Sequence, residues 1–250
     1  MAVFVVLNVS VVFSVGASQE VLVRGANGSF YSYHVNTRTV DDAPSGAIAG
    51  VTSNTDWQVK AFADLNGDGS SDILMRNSSG AWFAYLIQNG VVLESGNLDI
   101  TPNTLWEFKA VGDFNGDGSA DVILRNSDSG TWFVYLLDGL SIPASGSVNL
   151  AFNQDWKFQG TADFDGDGNS DILLRHQVNQ SWFLYAMDGV GLDQAGTGLI
   201  RFALNPNWTF RAAEDFTGDG KADMIMRRDD GPWWMYQADG TEVLLNDNFG

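Results

Sequence analysis

Four short acidic loops carry the residues of this sequence whose types and spacing suit metal chemistry. They share the pattern Asp-x-(Asn/Asp/Thr)-Gly-Asp-Gly-x-x-Asp and begin at Asp64, Asp113, Asp163 and Asp215. Alternate residues of a tight loop that contains glycine can direct their oxygen atoms at one centre, and Ca²⁺ takes about six to eight such ligands. We therefore predict one calcium ion in each loop and up to four in the chain.

The ligands are predicted from positions in the loop. Positions 1, 3, 5 and 9 would provide side-chain oxygens, and position 7 its main-chain carbonyl. No Glu stands at position 12, where strand-like residues follow, so the pattern favours a β-hairpin loop over an EF-hand. Mg²⁺ is disfavoured because it keeps its waters and requires strict octahedral geometry. The predicted ligands are Asp64, Asn66, Asp68, Ser70, Asp72, Asp113, Asn115, Asp117, Ser119, Asp121, Asp163, Asp165, Asp167, Asn169, Asp171, Asp215, Thr217, Asp219, Lys221 and Asp223.

The four loops are predicted to differ in calcium affinity. The third loop has four carboxylates and should bind tightest, whereas the fourth has the neutral Thr217 at position 3 and the cationic Lys221 beside its site. Together the loops hold thirteen of the 31 acidic residues, and these clustered charges would repel one another without a cation. Solvated Asp-Gly turns are the alternative interpretation, which four copies in register disfavour.

Charge and composition exclude several classes of function. The formal net charge of −18 opposes binding to nucleic acid and to anionic membranes, and four calcium ions would bring it to −10. The chain has no Cys, which excludes disulfides, thiol catalysis and Cys-ligated zinc. Because calcium sites rich in carboxylates suit compartments where the ion is abundant, we expect a secreted or cell-surface protein that does not insert into a membrane.

A repeat of about fifty residues positions these loops. Trp57, Trp106, Trp156 and Trp208 recur at spacings of 49, 50 and 52 residues, and each lies seven residues before the first Asp of a loop. A fifth copy at the N-terminus keeps the register around Arg24 but lacks the acidic loop. Short runs of Val, Ile, Leu and aromatic residues between Gly, Asn and Asp clusters predict about four strands in each copy.

The predicted fold is all-β: a five-bladed β-propeller with four antiparallel strands in each blade. A single blade cannot bury both of its faces, so neighbouring blades must supply the core. We predict one domain over residues 1–250, with blades at about 1–50, 51–100, 101–150, 151–202 and 203–250. In the third of these copies the strands are predicted at residues 106–111, 122–126, 131–137 and about 145–150, with an Asp-Gly hairpin turn at Asp138.

The repeated segments resemble a known family. Asp-Phe-Asn-Gly-Asp-Gly at residues 113–118, with residues 121–126 and 130–135, is similar to FG-GAP-like repeats of the VCBS type. These occur in integrin-α-type propellers and in many secreted bacterial proteins. The resemblance covers four full copies and one degraded copy. It implies a propeller whose hairpins are stabilised by calcium, and roles in adhesion, carbohydrate binding or support of secreted enzymes. The Phe-Gly and Gly-Ala-Pro elements of the family are not evident, so integrin-like ligand binding is not implied.

Other repeated residues have structural and functional interpretations. The aromatic run of the third strand, which begins at Trp82, Trp132, Trp182 and Trp233, is predicted to lie in the core. The Trp residues that open the first strand are the better candidates for stacking on sugars, with a core role as the alternative: Trp57, Trp106, Trp156 and Trp208. The recurring Arg is predicted to hold a structural partner, either a carboxylate or carbonyls of the adjoining turn: Arg24, Arg76, Arg125, Arg175 and Arg227.

These features predict a binding protein and not an enzyme, because the two His residues stand at unrelated repeat positions and no nucleophile pattern accompanies them. We expect a calcium-stabilised extracellular recognition or adhesion module, lectin-like and glycan-binding, with a glycan or an extracellular protein as its partner. One alternative is a structural subunit that self-assembles through the uncharged residues 1–19, whose Val content favours a strand over a signal or anchor remnant. Another is an accessory domain of a secreted enzyme.

Overall fold

The computed structural model describes residues 10–13, 20–36, 39–202 and 206–248. Every regular element in these ranges is a β-strand, and none of the described residues forms a helix able to cross a membrane. The strands form five four-stranded sheets and one two-stranded ribbon. The chain divides into two compact units, one of residues 1–108, 118–120 and 137–143, the other of residues 109–117, 121–136 and 144–250.

The first two sheets are antiparallel meanders in which strands adjacent in sequence are hydrogen-bonded neighbours. The first sheet contains β1 (Ser10–Phe13), β2 (Glu20–Arg24), β3 (Phe30–Asn36) and β4 (Thr39–Ile48). The second contains β5 (Gln58–Ala63), β6 (Asp72–Arg76), β7 (Trp82–Gln88) and β8 (Val91–Leu98). Each sheet comes from one copy of the repeat.

The third sheet shows how closely the sequence predicts a repeat. Its strands are β9 (Trp106–Gly112), β10 (Asp121–Asn126), β11 (Trp132–Asp138) and β12 (Ser141–Val148). The four predicted strands are present, but the last begins about four residues before the predicted start, because the turn after Asp138 is tight. Gly139 has φ 61°, a left-handed value that favours glycine, and this lets β12 start at once.

The fourth and fifth sheets follow the same order, with one irregularity. The fourth contains β13 (Trp156–Ala162), β14 (Asp171–His176), β15 (Trp182–Tyr185) and β18 (Gly198–Ile200), and the ribbon of β16 (Met187–Asp188) and β17 (Gly191–Leu192) extends its outer hairpin. The fifth contains β19 (Trp208–Glu214), β20 (Asp223–Arg228), β21 (Trp233–Asp239) and β22 (Glu242–Asn248).

The apolar N-terminal stretch contributes a strand to its own sheet. Val11 and Val12 of β1 pair antiparallel with Val23 and Leu22 of β2, which is the place that the first strand of every other copy takes. The strand interpretation is therefore confirmed for residues 10–13. Residues 1–9 and 14–19, the remainder of that prediction, lie outside the described residues.

The core lies between successive sheets of the same unit. In the second unit, one buried cluster joins Phe114, Ile123 and Trp132 of the third repeat to Ile172 and Leu174 of the fourth. Equivalent clusters join the fourth repeat to the fifth and, in the first unit, the first repeat to the second. The fourth sheet thus buries its two faces against different neighbours, as expected for a repeat protein. Closure of five sheets into a single ring and the single domain over residues 1–250 remain predictions.

Candidate metal sites in the acidic loops

Each acidic loop connects the first strand of a sheet to the second. The loop begins at the Asp that follows the first strand, and its ninth residue is the Asp that opens the second. Two glycines of each loop have left-handed backbone conformations, for example Gly67 with φ 71° and Gly69 with φ 83°, so residues with a Cβ atom would be strained there. The turn therefore depends on the glycines that the pattern contains.

The Asp at position 1 organises the loop through its main-chain N–H groups. Asp64 Oδ1 accepts a hydrogen bond from Gly67 N at 2.8 Å, and its Oδ2 accepts one from Gly69 N at 2.7 Å. The third and fourth loops repeat both bonds, and the second repeats the first of them at 2.7 Å. The position-1 carboxylate is therefore held in place by hydrogen bonds from the same loop whose calcium ion it would bind.

The Asp at position 9 is fully buried in all four loops, and in the first it connects the loop and the second strand to the third strand. Asp72 Oδ2 accepts from Leu65 N at 2.9 Å, and its Oδ1 accepts from Ile87 N on β7 at 2.7 Å. Burial raises the pKa of Asp72 to about 7, although those hydrogen bonds oppose the shift; the charges of Asp64 and Asp68 raise it further. A negative charge at this position is therefore costly without a nearby cation.

The third loop brings its carboxylates closest together. One oxygen each from Asp163, Asp165 and Asp171 lie within 4.8 Å of one another, a separation that one Ca²⁺ with ligands at about 2.3–2.6 Å can span. Burial also raises the pKa of Asp171 to about 8, with Asp165 and Asp163 adding to the effect. Asp167 is not one of these three, and its oxygens accept from the main-chain and side-chain N–H groups of Asn169 at 2.7 and 2.8 Å, so its role as a ligand remains a prediction.

The first two loops have the same arrangement with Asn at position 3. Asn66 Oδ1 accepts from Asp68 N at 3.1 Å, and Ser70 N donates to Asp68 Oδ1 at 2.8 Å. In the second loop Asn115 Nδ2 donates to Asp117 Oδ2 at 2.8 Å, and Asp117 N donates to Asp113 Oδ1 at 3.2 Å. Asp121, at position 9 of that loop, accepts from Phe114 N at 2.8 Å, and the nearby Ser119 is also buried. These side chains therefore hold the first two loops in a conformation that can accept a cation. The Asp at position 5, Asp68 or Asp117, is hydrogen-bonded to nearby residues of its own loop.

The fourth loop contains a buried oxygen without a proper partner. Asp223 Oδ2 accepts from Phe216 N at 3.1 Å, whereas Oδ1 is buried and, among the described residues, has no hydrogen bond of ordinary geometry. Burial raises the pKa of Asp223, and the Phe216 N–H, the Thr217 hydroxyl and the Ala238 N–H lower it in part. Asp215 and Asp219 line the exposed side of the loop. The donor set of hard oxygens fits Ca²⁺, which would satisfy that orphaned atom.

Lys221 changes the expectation for the fourth loop. Its ammonium group forms an ion pair with Asp239 of the following hairpin, whose hydrogen bond raises the pKa of Lys221. The aliphatic part of the side chain lies over the third loop, since its Cγ is 3.2 Å from where a Cβ atom on Gly166 would be. The positive charge of Lys221 therefore lies near both the third and the fourth loops. The sequence-based ranking of calcium affinities considered its effect on the fourth loop alone.

The four Trp residues proposed for sugar stacking are half-buried at the end of each sheet opposite the acidic loops: Trp57, Trp106, Trp156 and Trp208. Trp57 meets Phe83 edge-on at 5.8 Å between ring centroids, and Trp156 meets Phe183 in the same way at 6.1 Å. By contrast, the third-strand Trp residues of the second, third and fourth copies are fully buried, so the core prediction is confirmed for Trp82, Trp132 and Trp182.

The recurring Arg has a structural partner, as predicted, but the partner belongs mainly to the next repeat. Arg76 Nη1 donates to Trp106 O at 2.6 Å and Nη2 to Asn103 O at 3.0 Å, while Nε donates to Gly80 O in its own turn at 3.2 Å. The first, third and fourth repeats show the same bond to the next Trp. The acceptors of these bonds are main-chain carbonyls, which is one of the two kinds of partner predicted.

Two sets of residues were missed in the sequence. An Asn three residues before Trp57, Trp106 and Trp156 caps a turn, as when Asn103 Oδ1 accepts from Leu105 N at 3.0 Å, and its regular spacing was a usable signal. Asp193 was missed as well: a Cβ atom on Gly196 would lie 2.9 Å from Asp165 Oδ2 and 3.3 Å from Asp193 Oδ2, which places a fifth carboxylate near the third loop. The signal was a longer outer hairpin in that copy.

Comparisons with known proteins agree with the repeat analysis. The sequence model described as FG-GAP-like repeat matches residues 64–124, 113–174 and 163–226, which together span about two thirds of the chain. Each match begins at the first Asp of one loop and ends just beyond the next loop. With the repeated four-stranded meanders, this match supports a β-propeller fold. No curated protein sequence matches the chain.

Three solved structures align with most of this chain. The WD40 domain of SCAP from fission yeast is 10% identical, with 97% of this chain and 66% of that chain covered and a TM-score of 0.40. The dihydro-heme d1 dehydrogenase NirN is 14% identical, with 92% of this chain and 55% of that chain covered and a TM-score of 0.46. A prolyl endopeptidase is 11% identical, with 93% of this chain and 33% of that chain covered and a TM-score of 0.53. The chain thus spans a third to two thirds of these proteins, and at such identities the similarity concerns the fold alone.

Proposed function

The chain belongs to the FG-GAP-like repeat family, and on this premise we propose that it is a calcium-stabilised recognition module that acts outside the cell. The observation that carries the calcium assignment is the third-loop cluster, in which oxygens of Asp163, Asp165 and Asp171 lie within 4.8 Å of one another. Carboxylate and carbonyl oxygens are the ligands that hard cations such as Ca²⁺ prefer, and softer transition metals favour nitrogen or sulfur.

Calcium has a structural role in this proposal. The position-9 carboxylate accepts from the outer hairpin, for example Asp171 from Met187 N of β16 at 3.1 Å, and the position-1 carboxylate accepts from the loop. A cation held by both ties the loop to the hairpin beside it and offsets the repulsion between the acids. Each occupied site adds about 2.7 kcal/mol to the free energy of unfolding at a hundredfold excess of ion over its Kd.

The recognition surface lies at the opposite end of the sheets, where half-buried Trp residues meet exposed apolar side chains. In the fourth repeat, Trp156 stacks edge-on with His176 at 5.0 Å, and Phe152 and Val178 nearby are 68% and 72% exposed. Aromatic rings beside such a patch can stack on the apolar faces of sugars. This combination favours a glycan as the ligand, with an extracellular protein as the alternative partner. A binding role, and not catalysis, is the function that these groups support.

The calcium assignment is tested by titrating metal-free protein with CaCl₂ in a calorimeter and by melting it with and without the ion. We expect heat from up to four sites and a higher Tm in calcium. MgCl₂ at the same concentration is the control and should produce little of either effect, because Mg²⁺ retains its waters. Equal melting temperatures with and without calcium would contradict the proposal.

The ligand assignment is tested separately on a glycan array in millimolar calcium. Binding to one class of sugar should be lost in Trp156→Ala and largely kept in Trp156→Phe, which retains an aromatic ring. Leu245→Ala, at an exposed outer-strand residue, serves as the matched control. A blank array, with calcium binding intact, would reject the glycan and leave a protein partner as the ligand.

A further inference from the structure

Each of the first three acidic loops is hydrogen-bonded to the loop of the next repeat. The main-chain N–H at position 8 of the later loop donates to the main-chain carbonyl at position 1 of the earlier one: Ala120 to Asp64 at 2.7 Å, Ser170 to Asp113 at 2.5 Å and Ala222 to Asp163 at 2.6 Å. These bonds bring position 7 of the later loop, which is the preceding residue, against the earlier loop.

The side chain at position 7 consequently lies over the glycine at position 4 of the preceding loop. Ser119 Oγ is 3.5 Å from where a Cβ atom on Gly67 would be, and Asn169 Oδ1 is 3.1 Å from the same point on Gly116. Asn169 Nδ2 donates to Asp167, and its Oδ1 is the atom that faces the second loop. Position 4 stands between the predicted ligands at positions 3 and 5, so this oxygen lies beside the ion site of the preceding loop.

The outer hairpin of the next repeat brings an Asp to the same region. A Cβ atom on the Gly that follows this Asp would lie 3.5–3.8 Å from the Cβ atom at position 3 of the preceding loop, for the pairs Gly139 with Asn66, Gly189 with Asn115 and Gly240 with Asp165. The N–H of the same Gly donates to the main-chain carbonyl at position 2 at 2.7–2.8 Å. A further carboxylate therefore stands one residue from this contact in each case, namely Asp138, Asp188 and Asp239.

At the third loop, the position-7 side chain from the next repeat is a cation. Residues 119 and 169 are Ser and Asn, but the equivalent residue over the third loop is Lys221. Its Cγ and Cε lie 3.2 and 3.3 Å from where a Cβ atom on Gly166 would be, and its ammonium group forms an ion pair with Asp239. Lys221 thus puts a positive charge where the other loops have an oxygen, and it also neutralises the hairpin carboxylate.

We propose that the position-7 side chain of the next repeat is part of each of these three calcium sites, and that Lys221 makes the third site weaker than its own four carboxylates would. This inference rests on the calcium role proposed above and names residues that set the affinity of each site. A Ca²⁺ ion in the third loop is repelled by the ammonium group, whereas an ion in the second loop is attracted by the amide oxygen of Asn169. Salt screens the repulsion, because the Lys221 side chain is partly exposed.

Replacing Lys221 tests the proposal, with calcium uptake followed by NMR at the main-chain N–H groups of Gly116 and Gly166. Each of these groups donates to the position-1 carboxylate of its own loop, so its signal reports the second or the third site separately. Lys221→Asn should bind calcium at the third site about tenfold more tightly at low salt. Lys157→Asn removes the same charge from an exposed residue at the other end of the fourth sheet and should leave the midpoint at Gly166 unchanged. Equal third-site midpoints in these two variants would overturn the proposal.

Asn169→Lys gives the decisive result, because the new cation stands in the third loop but should act on the second. Asn169→Ser is its matched variant, since it also loses the bond to Asp167 but carries no charge. We expect the calcium midpoint at Gly116 to be about tenfold higher in the Lys variant than in the Ser variant, and the midpoint at Gly166 to differ much less. A larger difference at Gly166 than at Gly116 would overturn the inference and leave the calcium role intact. Glycine signals of the wild-type protein that do not respond to calcium would reject the calcium role, and this inference with it.

Discussion

The guanidinium group of Arg125 donates a 2.7 Å hydrogen bond to the main-chain carbonyl of Trp156, the residue that begins the next repeat. The same side chain donates to Asn153 O at 3.0 Å and lies over the Trp132 ring at 4.8 Å. It therefore joins two successive sheets through groups that are largely buried. Removing this charged donor would leave buried carbonyl oxygens unpaired, which lowers the free energy of unfolding.

Replacing Arg125 should consequently destabilise the contact between two repeats. We expect Arg125→Met, which keeps much of the aliphatic packing, to lower the free energy of unfolding by about 2–4 kcal/mol. Arg211→Met removes the same charge at an exposed residue of β19 and should change stability by less than about 0.5 kcal/mol. The measurement is chemical unfolding in calcium, and equal midpoints for the two variants would refute a role for these hydrogen bonds.

Replacing Asp167 at position 5 and Asp171 at position 9 of the third loop should lower stability by amounts that depend differently on calcium. Asp171→Ala leaves the buried N–H groups of Phe164 and Met187 unpaired, so it should cost about 3 kcal/mol even without the ion, and more in calcium because a ligand is also lost. Asp167 is exposed, and Asp167→Ala should reduce only the stability that calcium adds. Thermal melts of both variants in calcium and after metal removal make the comparison. Identical calcium dependence in both would show that position 9 acts only as a ligand.

The buried carboxylates predict how the stability of the metal-free protein depends on pH. Burial raises the pKa of Asp72 to about 7 and that of Asp171 to about 8, from 3.8 in the unfolded chain. The folded state therefore binds more protons than the unfolded state, and stability falls as the pH rises through this window. Most surface carboxylates remain ionised above about pH 5, so the range from pH 5 to 8 isolates the buried groups.

We expect metal-free protein to unfold at a lower temperature at pH 8 than at pH 5, and calcium to reverse the trend because it binds the ionised carboxylates. The stability added by calcium should be largest at pH 8 and nearly absent at pH 5. The double variant Asp72→Asn with Asp171→Asn is the control and should show a flatter profile without metal. A metal-free melting temperature that does not change between pH 5 and 8 would disprove the assignment.

The sequence predicts the loops, strands and turns of each repeat well, because each of these features depends on residues that are close together in the chain. Spacing alone gives the loops, the strands and the hairpin glycines: Gly139 must adopt a left-handed φ wherever two strands turn in so few residues. Alternation places Phe133 and Tyr135 on one face, and their rings indeed lie 4.9 Å apart. Four copies in register make these signals stronger than any single one would be.

Contacts between repeats were not predictable in the same way. The side chain of Lys221 pairs with Asp239 of its own repeat, and it also lies over Gly166 of the fourth repeat because the fourth and fifth sheets are packed together. The carbonyl partners of Arg76 lie about thirty residues away, at Trp106 and Asn103. The repeat pattern predicts that such positions are equivalent, but the residues they contact depend on how one sheet packs on the next.

Asp193 provides the most specific test of the third loop. From Trp182 to its strand partner Ile200 this copy is two residues longer than the second copy is from Trp82 to Leu98, and the extra residues form a turn that Asp193 caps by accepting from Ala195 N at 3.0 Å. The charge of Asp193 also contributes to raising the pKa of Asp165, after burial and the nearer loop carboxylates.

A carboxylate at this distance should strengthen calcium binding to the third loop electrostatically. We expect Asp193→Asn to weaken the tightest calcium site by about 1 kcal/mol, or roughly fivefold, and to do so less at high salt, because the residue is exposed. Asp128→Asn removes one charge from an exposed turn at the other end of the third sheet and is the matched control. Calorimetric titration with calcium measures both variants. Should the two variants bind calcium equally, Asp193 serves only to cap its turn.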